Sequence, residues 1–371
     1  MMGKQVLLLN DRLAGGGAEQ VLQHIAADLA AQGASLTVWA PEGTRRQLQR
    51  LYPAGTRFRR YPFWDGESRR FSPRWFFQRA CRVLFENALR LRHWDRVVAM
   101  KEGPCMRLAS RLRAEKKLAW VHTDYRSFRW TNWHFPSDEA ERVCMASFDE
   151  VVCVSETVRR GVIGTVGDPG NLRVLYDPID AASIGEKART VPEDARRPAE
   201  GPLLVAVGRL ARGKRFDLLL DVCRELARER RFTLRIIGGG EEEETLRRRL
   251  ADYRLPQLQL LGARENPYPY IAQADWLISA SESESYGLTV QEALVLGVPV
   301  VGCACDGVAE SLDVRFGLLC ALEREALLAA LRRALGEAGL RERCAENIAR
   351  FYDRDALWAP RLAAIRKAIL D

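Results

Sequence analysis

The chain has 371 residues, which is enough for two domains that each bury a core of their own. Its 47% hydrophobic and 29% charged content is typical of a globular protein, and no apolar run approaches the roughly 20 residues of a membrane-spanning helix. The net charge of +8 lies entirely in residues 1–180, where 28 Lys and Arg outnumber 20 Asp and Glu, so the rest of the chain is balanced.

The first predicted element is a buried strand, Val6–Asn10, which runs into a glycine loop. Gly15–Gly17 separate this strand from a helix with apolar positions between Val21 and Leu29, and such a loop lets the backbone approach a phosphate closely. The dinucleotide fingerprint G-x-G-x-x-G is broken, because Gln20 stands in place of the third glycine, and this disfavours a dehydrogenase. A plain glycine-rich turn is the alternative.

Two features favour the cytoplasm. The apolar run Val6–Leu9 is too short for the core of a signal peptide. The nine cysteines show neither disulfide nor zinc spacing, so we expect them to be reduced and mostly buried.

Residues Arg57–Arg96 form a basic and aromatic segment, with 11 Arg, 4 acidic and 10 aromatic residues. Between Trp75 and Leu91 the apolar residues recur at helical spacing, with arginines on the other side. This helix is either a core element with a solvated face or an element that docks on an anionic inner membrane surface, where each nearby Arg contributes about 1 kcal/mol. The charge would also suit nucleic acid, but no recognition motif accompanies it.

Polar residues follow two later strand-like runs of the first half. They are His122 and Asp124 after Leu118–Val121, and Ser155 and Glu156 after Glu150–Val154. A histidine in this position is either a structural hydrogen-bonding residue or a site residue. Ser155 can cap the helix that follows, and capping alone would account for it.

The composition predicts a domain boundary near the middle of the chain. Residues 181–202 are rich in Ala, Arg, Glu and Pro and poor in apolar residues, which predicts an interdomain linker. The domains are then residues 1–180 and 203–354, with residues 355–371 forming a terminal helix.

The second domain opens on a predicted strand that begins at Leu203 and ends in Gly208 and Arg209, with Lys214 five residues further on. Arg209 and Lys214 stand at one strand end beside the start of a helix. The planar fork of Arg and the point charge of Lys together suit a diphosphate, although exposed loop cations are the alternative. A second glycine loop, Gly238–Gly240, follows the next predicted strand.

Two glutamates bracket a turn that follows the strand Trp276–Ile278. Glu284 precedes the turn, and Glu292 lies on the helix Leu288–Leu296, which Gly297 ends. A helix N-terminus favours an anion, and carboxylates beside it can accept hydrogen bonds from sugar hydroxyls. The alternative is an amphipathic helix with a solvated Glu292.

The spacing of Glu284 and Glu292, with Gly287 between them, resembles the E-x7-E signature of retaining GT-B glycosyltransferases of family 4. The glycine loop at Gly15–Gly17 and the Arg209 and Lys214 pair resemble further elements of that family. The resemblance implies an α/β fold of the GT-B class, in which two Rossmann-like β/α/β domains face each other across a cleft. It also implies that residues 355–371 return to the first domain.

The resemblance implies transfer of a sugar from a nucleotide-diphosphate sugar, with UDP as the expected carrier and no cofactor. The catalytic residues that it implies are Glu284 and His122, which position the donor sugar, and Arg209 and Lys214, which stabilise the leaving diphosphate. Donor binding is further implied for Gly16, Gly17, Gly238, Arg264, Tyr286, Gly287, Leu288 and Glu292, the last holding the ribose. The acceptor side is implied at His122, Asp124, Ser155 and Glu156.

The expected partners are a nucleotide-sugar donor, a glycan or polyprenyl-linked acceptor, and an anionic inner-membrane surface contacted by Arg57–Arg96, but no nucleic acid. Such acceptors belong to the synthesis of bacterial lipopolysaccharide, capsule or exopolysaccharide. No Asp-x-Asp follows a predicted strand, which favours metal-independent chemistry. The alternatives are a nucleotide-sugar epimerase of the same fold and a basic nucleic-acid-binding protein.

Overall fold

The computed structural model describes residues 3–10, 17–40, 45–59, 77, 80, 83, 84 and 87–371. The chain divides into two compact units. Unit 1 comprises Met1–Pro178 and Ala359–Asp371, and unit 2 comprises Ile179–Trp358. Gly15, Gly16 and most of the basic segment Arg57–Arg96 lie outside the described residues.

Unit 1 is built on a seven-stranded parallel sheet with the order β3-β2-β1-β4-β5-β6-β7. The strands are β1 Gln5–Leu9, β2 Ser35–Trp39, β3 Arg57–Arg59, β4 His93–Ala99, β5 Arg113–Val121, β6 Glu150–Cys153 and β7 Leu172–Val174. The α-helices of unit 1 with described bounds are Gly17–Ala31, Arg45–Leu51, Pro104–Ala109, Asp138–Ala146, Glu156–Val166 and Ala359–Leu370, and residues 87–90 are helical as well. The central strands β4 and β5 end in continuous apolar runs, Val97–Ala99 and Leu118–Val121, as expected of parallel strands buried on both faces.

The helix Ala359–Leu370 is joined to the sheet of unit 1 through its C-terminal carbonyl groups. The buried guanidinium of Arg96 donates from Nε to Ile369 O at 2.7 Å, and Lys116 Nζ donates to Ala368 O at 2.8 Å. Two cations on neighbouring strands thus bind the carbonyl oxygens that every helix leaves without intrahelical partners. The turn at Asp355–Leu357, predicted as part of this helix, is a separate 3₁₀ turn of unit 2.

Unit 2 contains a six-stranded parallel sheet with the order β10-β9-β8-β11-β12-β13. The strands are β8 Leu203–Val207, β9 Thr233–Ile237, β10 Leu258–Gly262, β11 Trp276–Ser279, β12 Val300–Cys303 and β13 Gly317–Cys320. The α-helices are Ala181–Ala188, Phe216–Leu226, Glu243–Tyr253, Tyr268–Ala272, Leu288–Val295, Asp306–Ser311, Arg324–Gly336 and Leu340–Phe351. Successive residues of β8 belong to two different core clusters, since strand side chains alternate between the faces of a sheet.

The linker predicted over residues 181–202 is instead part of unit 2. Its first half forms the helix Ala181–Ala188, capped by Asp180, whose side chain accepts from the backbone N–H of Ser183 at 2.9 Å. Ile184 of this helix is buried in an apolar cluster with Tyr286 and Val295. The polar composition hid this role, because a short helix needs only one or two apolar residues on its inner face.

Within the described part of the chain, no helix combines the length and the apolar character that crossing a bilayer requires.

Candidate active site

The predicted site residues of unit 2 follow the carboxyl ends of adjacent parallel strands. Lys214 follows β8, Gly238 follows β9, Arg264 follows β10 and Glu284 follows β11. From β8 the chain proceeds to β9 and β10 on one side, and then returns to β11 on the other. Lys214 and Glu284 therefore stand at the topological switch point, where open parallel sheets bind ligands.

Lys214 and Glu284 are in direct contact. Lys214 Nζ donates to Glu284 Oε1 at 2.5 Å, and Ser281 Oγ donates to the same oxygen at 2.8 Å. The two charged side chains keep 26% and 16% of their surface exposed, so the pair is accessible to a ligand. Both line a small pocket that includes Val207 at the end of β8 and Ser279 at the end of β11. The Lys214 ammonium and the Glu284 carboxylate are thus in contact, as expected if one binds the diphosphate and the other the adjoining sugar.

The turn that carries Glu284 depends on two glycines. Gly287 precedes the helix Leu288–Val295 with a left-handed φ of 68°, which residues other than glycine rarely adopt. Gly307 packs against the turn so closely that a Cβ there would lie 1.9 Å from the carbonyl oxygen of Glu284. Tyr286, predicted to bind the donor, is buried in the apolar cluster with Ile184 and Val295, and its ring anchors the turn to unit 2.

Substituting Gly307 with Ala is expected to displace Glu284 and to lower both stability and activity. A methyl group cannot occupy a position 1.9 Å from a backbone oxygen, so the turn must move. We expect a loss of about 1–3 kcal/mol, as for other overpacked sites, measured as a lower thermal midpoint. The matched control is Gly164→Ala on the helix Glu156–Val166, where nothing lies within 4 Å. If G307A retains the stability and activity of G164A, the close packing does not hold Glu284 in place.

Glu292 lies one helical turn beyond Leu288, the first residue of its helix. Tyr268 OH donates to Glu292 Oε1 at 3.3 Å. The residue is partly accessible to solvent, but protein surrounds its carboxyl group on most sides. This desolvation raises the pKa of Glu292 to about 7, and the hydrogen bond from Tyr268 opposes the rise. Glu292 is therefore a carboxyl group that changes charge near neutral pH.

The other predicted donor-binding residues of unit 2 differ in how they are engaged. The Arg209 side chain is exposed and has no hydrogen bond or ion pair with the described residues. Arg264 is already paired, with Asp194 Oδ2 at 2.8 Å and with the Tyr270 hydroxyl at 3.0 Å. Gly238 is required for packing, because a Cβ there would lie 1.8 Å from the carbonyl oxygen of Gly208.

In unit 1, His122 is held at the end of β5. Its backbone N–H donates to Glu102 Oε2 at 3.0 Å, and its ring Nε2 lies 3.0 Å from the carbonyl oxygen of Met100. A carbonyl oxygen can only accept, so Nε2 carries a proton and donates to Met100 O. In the neutral imidazole this leaves Nδ1 as the acceptor nitrogen.

The remaining candidates of unit 1 have structural partners. Asp124 binds the guanidinium of Arg126 at 3.0 Å, and Ser155 caps its helix by accepting from the backbone N–H of Val158 at 3.1 Å. Glu156 pairs with Arg159 at 2.6 Å. Gly17 is the first residue of the helix Gly17–Ala31, while Gly16 lies outside the described residues. The capping interpretation of Ser155 matches this geometry.

Three residues that contact predicted site residues were missing from the predicted set: Ser281 and Tyr268 in unit 2, and Glu102 in unit 1. The spacing of Ser281, three residues before Glu284, was a usable signal, whereas nothing near Tyr268 or Glu102 indicated their partners. In the described part of the chain, no three His, Cys, Asp or Glu side chains are grouped to hold a metal ion.

Two family models match the chain, one in each half. The model described as Glycosyltransferase Family 4 matches residues 15–183, and the model described as Glycosyl transferases group 1 matches residues 187–351. The second match contains the contact between Lys214 and Glu284.

Several curated proteins are similar over part of the chain. An N-acetylgalactosaminyltransferase of Campylobacter jejuni, named for a diphospho-undecaprenol substrate, is 31% identical over 42% of this chain and 42% of its own length. The lipopolysaccharide core biosynthesis glycosyltransferase LpsE of Rhizobium meliloti is 26% identical over 40% of this chain and 44% of its own length. The matched region therefore spans less than half the length of these relatives.

Solved structures match the whole chain at low sequence identity. Alr3699/HepE of Anabaena, solved with UDP and glucose, has a TM-score of 0.77 at 17% identity, with 98% of both chains covered. WaaG, a glycosyltransferase of lipopolysaccharide biosynthesis, has a TM-score of 0.69 at 18% identity, with 98% of this chain and 99% of that chain covered. These likenesses confirm the predicted α/β fold of the GT-B class.

Proposed function

The chain belongs to the family 4 glycosyltransferases of the GT-B fold, and we propose that it transfers a sugar from a UDP-sugar to a glycan or polyprenyl-linked acceptor, with retention of configuration and without a metal ion. The sequence alternatives, an epimerase and a nucleic-acid-binding protein, are not favoured, because the matching families and relatives are glycosyltransferases.

The contact between Lys214 and Glu284 at the switch point carries this proposal. In the proposed reaction the bond between the sugar and the diphosphate breaks, and Lys214 and Arg209 stabilise the negative charge that develops on the leaving diphosphate. Glu284 and Ser281 orient the hydroxyl groups of the sugar, and Glu292 accepts hydrogen bonds from the ribose. The acceptor hydroxyl attacks from the face that the diphosphate leaves and gives its proton to the departing diphosphate oxygen, so a new sugar–oxygen bond forms with retention of configuration.

The printed names of the relatives support the proposed substrates. HepE was solved with UDP, with UDP and glucose, and with UDP-glucose, which supports UDP as the carrier. The Campylobacter relative is named for a polyprenyl-linked acceptor, and LpsE is named for the lipopolysaccharide core. We therefore propose an acceptor of one of these two kinds.

The proposed donor is tested by thermal shift against UDP-, GDP-, ADP- and CMP-sugars. A ligand at 100 times its dissociation constant stabilises the folded protein by about 2.7 kcal/mol. We expect UDP-sugars to raise the thermal midpoint more than the other three classes. A preference for GDP-sugars would contradict the carrier alone, whereas no shift with any nucleotide sugar would contradict the proposed enzyme.

We also propose that the enzyme binds the inner face of the cell membrane through the basic segment Arg57–Arg96. Each arginine near an anionic surface contributes about 1 kcal/mol. The segment holds 11 arginines, of which Arg96 is buried and therefore does not count toward this surface. We expect the protein to float with phosphatidylglycerol vesicles at low salt and to be released at high salt. Equal recovery with phosphatidylcholine vesicles would contradict this localisation.

A further inference from the structure

The loop after β5 in unit 1, residues 122–134, rests on two buried glutamates. Glu102 and Glu141 are both 0% exposed. Burying a carboxylate costs folding free energy unless hydrogen bonds satisfy its oxygens. The groups that donate to it therefore identify the segment that the carboxylate holds in place. In the described contacts, every side chain that donates to these two carboxylates belongs to this loop.

Glu102 binds both ends of the loop. Its Oε2 accepts the backbone N–H of His122 at 3.0 Å, and its Oε1 accepts the Thr123 hydroxyl at 2.5 Å and the Trp130 indole N–H at 3.0 Å. The next residue, Gly103, has a left-handed φ of 75°, and a Cβ there would lie 2.7 Å from the Trp130 ring. The loop is thus packed onto Glu102 as well as hydrogen-bonded to it.

Glu141, on the helix Asp138–Ala146, binds the middle of the same loop. It accepts the Tyr125 hydroxyl at 2.8 Å, the Arg129 guanidinium at 2.8 Å and the Thr131 hydroxyl at 3.0 Å. Burial raises the pKa of Tyr125 well above its usual range, with the Glu102 and Glu141 charges adding to the rise, so its hydroxyl remains a donor. Six hydrogen bonds to two carboxylates hold a segment of 13 residues.

The outer side of this loop presents aromatic rings to solvent. Trp133 is 81% exposed and Phe128 is 61% exposed, although both side chains are apolar enough to favour burial. A connecting loop is normally mobile and polar, so a loop that is held rigid while it exposes large rings indicates a binding surface. His122, at the start of the loop, places this surface at the carboxyl edge of the sheet.

The charges of the loop indicate which ligand it suits. Arg126 is paired with Asp124 at 3.0 Å, and Arg129 is paired with Asp138 at 2.5 Å and with Glu141 at 2.8 Å. Because carboxylates neutralise both arginines, the loop offers flat rings with little free positive charge. An anionic headgroup or phosphate would gain little from such a surface, whereas the apolar C–H face of a sugar ring can pack against an exposed indole or phenyl ring.

We propose that residues 122–134 form a surface for the glycan part of the acceptor, with Trp133 and Phe128 packing against its sugar rings. Glu102 and Glu141 are positioning residues that hold the loop from below. This inference rests on the proposed glycosyl transfer, which supplies the need for an acceptor. It adds that recognition acts on the carbohydrate and not on a charged lipid headgroup.

The test measures the binding of the whole protein, saturated with UDP, to an array of immobilised neutral oligosaccharides. We expect binding of at least one glycan, and a loss of about tenfold or more in its affinity in Trp133→Ala. Phe128→Ala should show a smaller loss. Phe351→Ala, which removes a 45% exposed ring from unit 2, is the control and should bind like the unchanged protein.

The positioning residues are tested with a matched pair on one helix. Glu141→Gln places an amide NH₂ among donors, so we expect it to lose glycan affinity as Trp133→Ala does. Glu139→Gln alters an exposed carboxylate that binds only Arg142 in the described contacts, and it should retain affinity. The UDP-induced thermal shift should be equal in all these variants, because the residues that the proposed reaction assigns to the diphosphate and the ribose, Lys214, Arg209 and Glu292, lie in unit 2.

The outcomes separate the two proposals. A missing UDP shift contradicts the proposed function itself. A normal UDP shift, together with glycan binding that is the same in Trp133→Ala and Phe351→Ala, overturns the glycan surface. A second result would also overturn the glycan surface: the unchanged protein binds no glycan of the array, and Trp133→Ala abolishes its binding to phosphatidylglycerol vesicles. The rings would then contact lipid.

Discussion

Replacing Lys214 with Met is expected to lower the rate of sugar transfer about 10²–10³-fold, the loss typical of removing one preorganised charge from a transition state. The ammonium group stands at the switch point beside Glu284, where we place the leaving diphosphate. Met has an unbranched side chain of similar length to the methylene stem of Lys214, so the packing should be retained. The initial rate of UDP release in the presence of acceptor measures the effect.

The control for this substitution is Arg212→Met, in the same 3₁₀ turn. Arg212 is exposed and has no ion pair with a residue that the structure describes, so its loss should change the rate by less than about threefold. The double variant K214M/E284Q should lose less than the product of the single losses, since contacting residues are not additive. Full additivity would show that the two side chains act separately, and equal losses in K214M and R212M would contradict the assigned site.

Replacing Glu292 with Gln is expected to stabilise unit 2 while weakening the donor complex. Glu292 must ionise in surroundings that favour its neutral form, and its pKa of about 7 lies above the 4.5 of an unburied carboxyl group. At pH 8 this difference costs up to about 3 kcal/mol of folding free energy. The amide can still accept from Tyr268, so removing the charge removes the cost without losing that contact.

The sign of the pH dependence follows from the same pKa. Between pH 4.5 and 7 the folded protein keeps a proton on Glu292 that the unfolded chain releases, so its contribution to stability falls as the pH rises through this window. Donor binding should change in the opposite direction, because only the carboxylate accepts hydrogen bonds from both ribose hydroxyls. From pH 6 to 8 the ionised fraction rises from about one tenth to nine tenths, which predicts about a tenfold gain in affinity.

Calorimetry with UDP-glucose, which has no phosphate titrating in this range, measures the affinity at pH 6 and pH 8. We expect the affinity of the unchanged protein for UDP-glucose to rise about tenfold from pH 6 to pH 8. The affinity of E292Q should be weak and independent of pH. The thermal midpoint of E292Q should exceed that of the unchanged protein at pH 8 and approach it near pH 5. A less stable E292Q at pH 8, or a flat affinity profile in the unchanged protein, would contradict the role assigned to Glu292.

Much of the fold could be predicted because most of its parallel strands contain a short, continuous apolar run. The strand predicted to begin at Leu203 and to end in Gly208 and Arg209 begins at Leu203 and ends at Val207, and the helix predicted over Leu288–Leu296 ends one residue earlier, before the left-handed Gly297. These signals are local, since a buried strand and a glycine stop each occupy a few adjacent residues. The matching of Glu284 with Lys214 was also predictable, because both follow adjacent strands of one parallel sheet.

The interactions that the sequence did not predict are those between distant residues. Tyr268 reaches Glu292 across 24 positions, and Glu102 reaches Trp130 across 28, with no periodic pattern to connect either pair. A buried acid such as Glu141 is also indistinguishable in sequence from the exposed acids beside it on the same helix. Its burial depends on the loop that it holds, which only the folded chain brings into reach.

The helix Ala359–Leu370 belongs to unit 1 but follows unit 2 in the chain, and this order constrains synthesis. A ribosome completes the uninterrupted unit 2 before it releases the segment that unit 1 needs, so the unit that is translated second can fold first. Until then the guanidinium of Arg96 lacks the carbonyl acceptors of Ile369 and Leu370, although Nη1 can already bind Glu115, and the first unit lacks the helix that completes it. Chaperone protection of the early translation product is the expected cost of this connectivity.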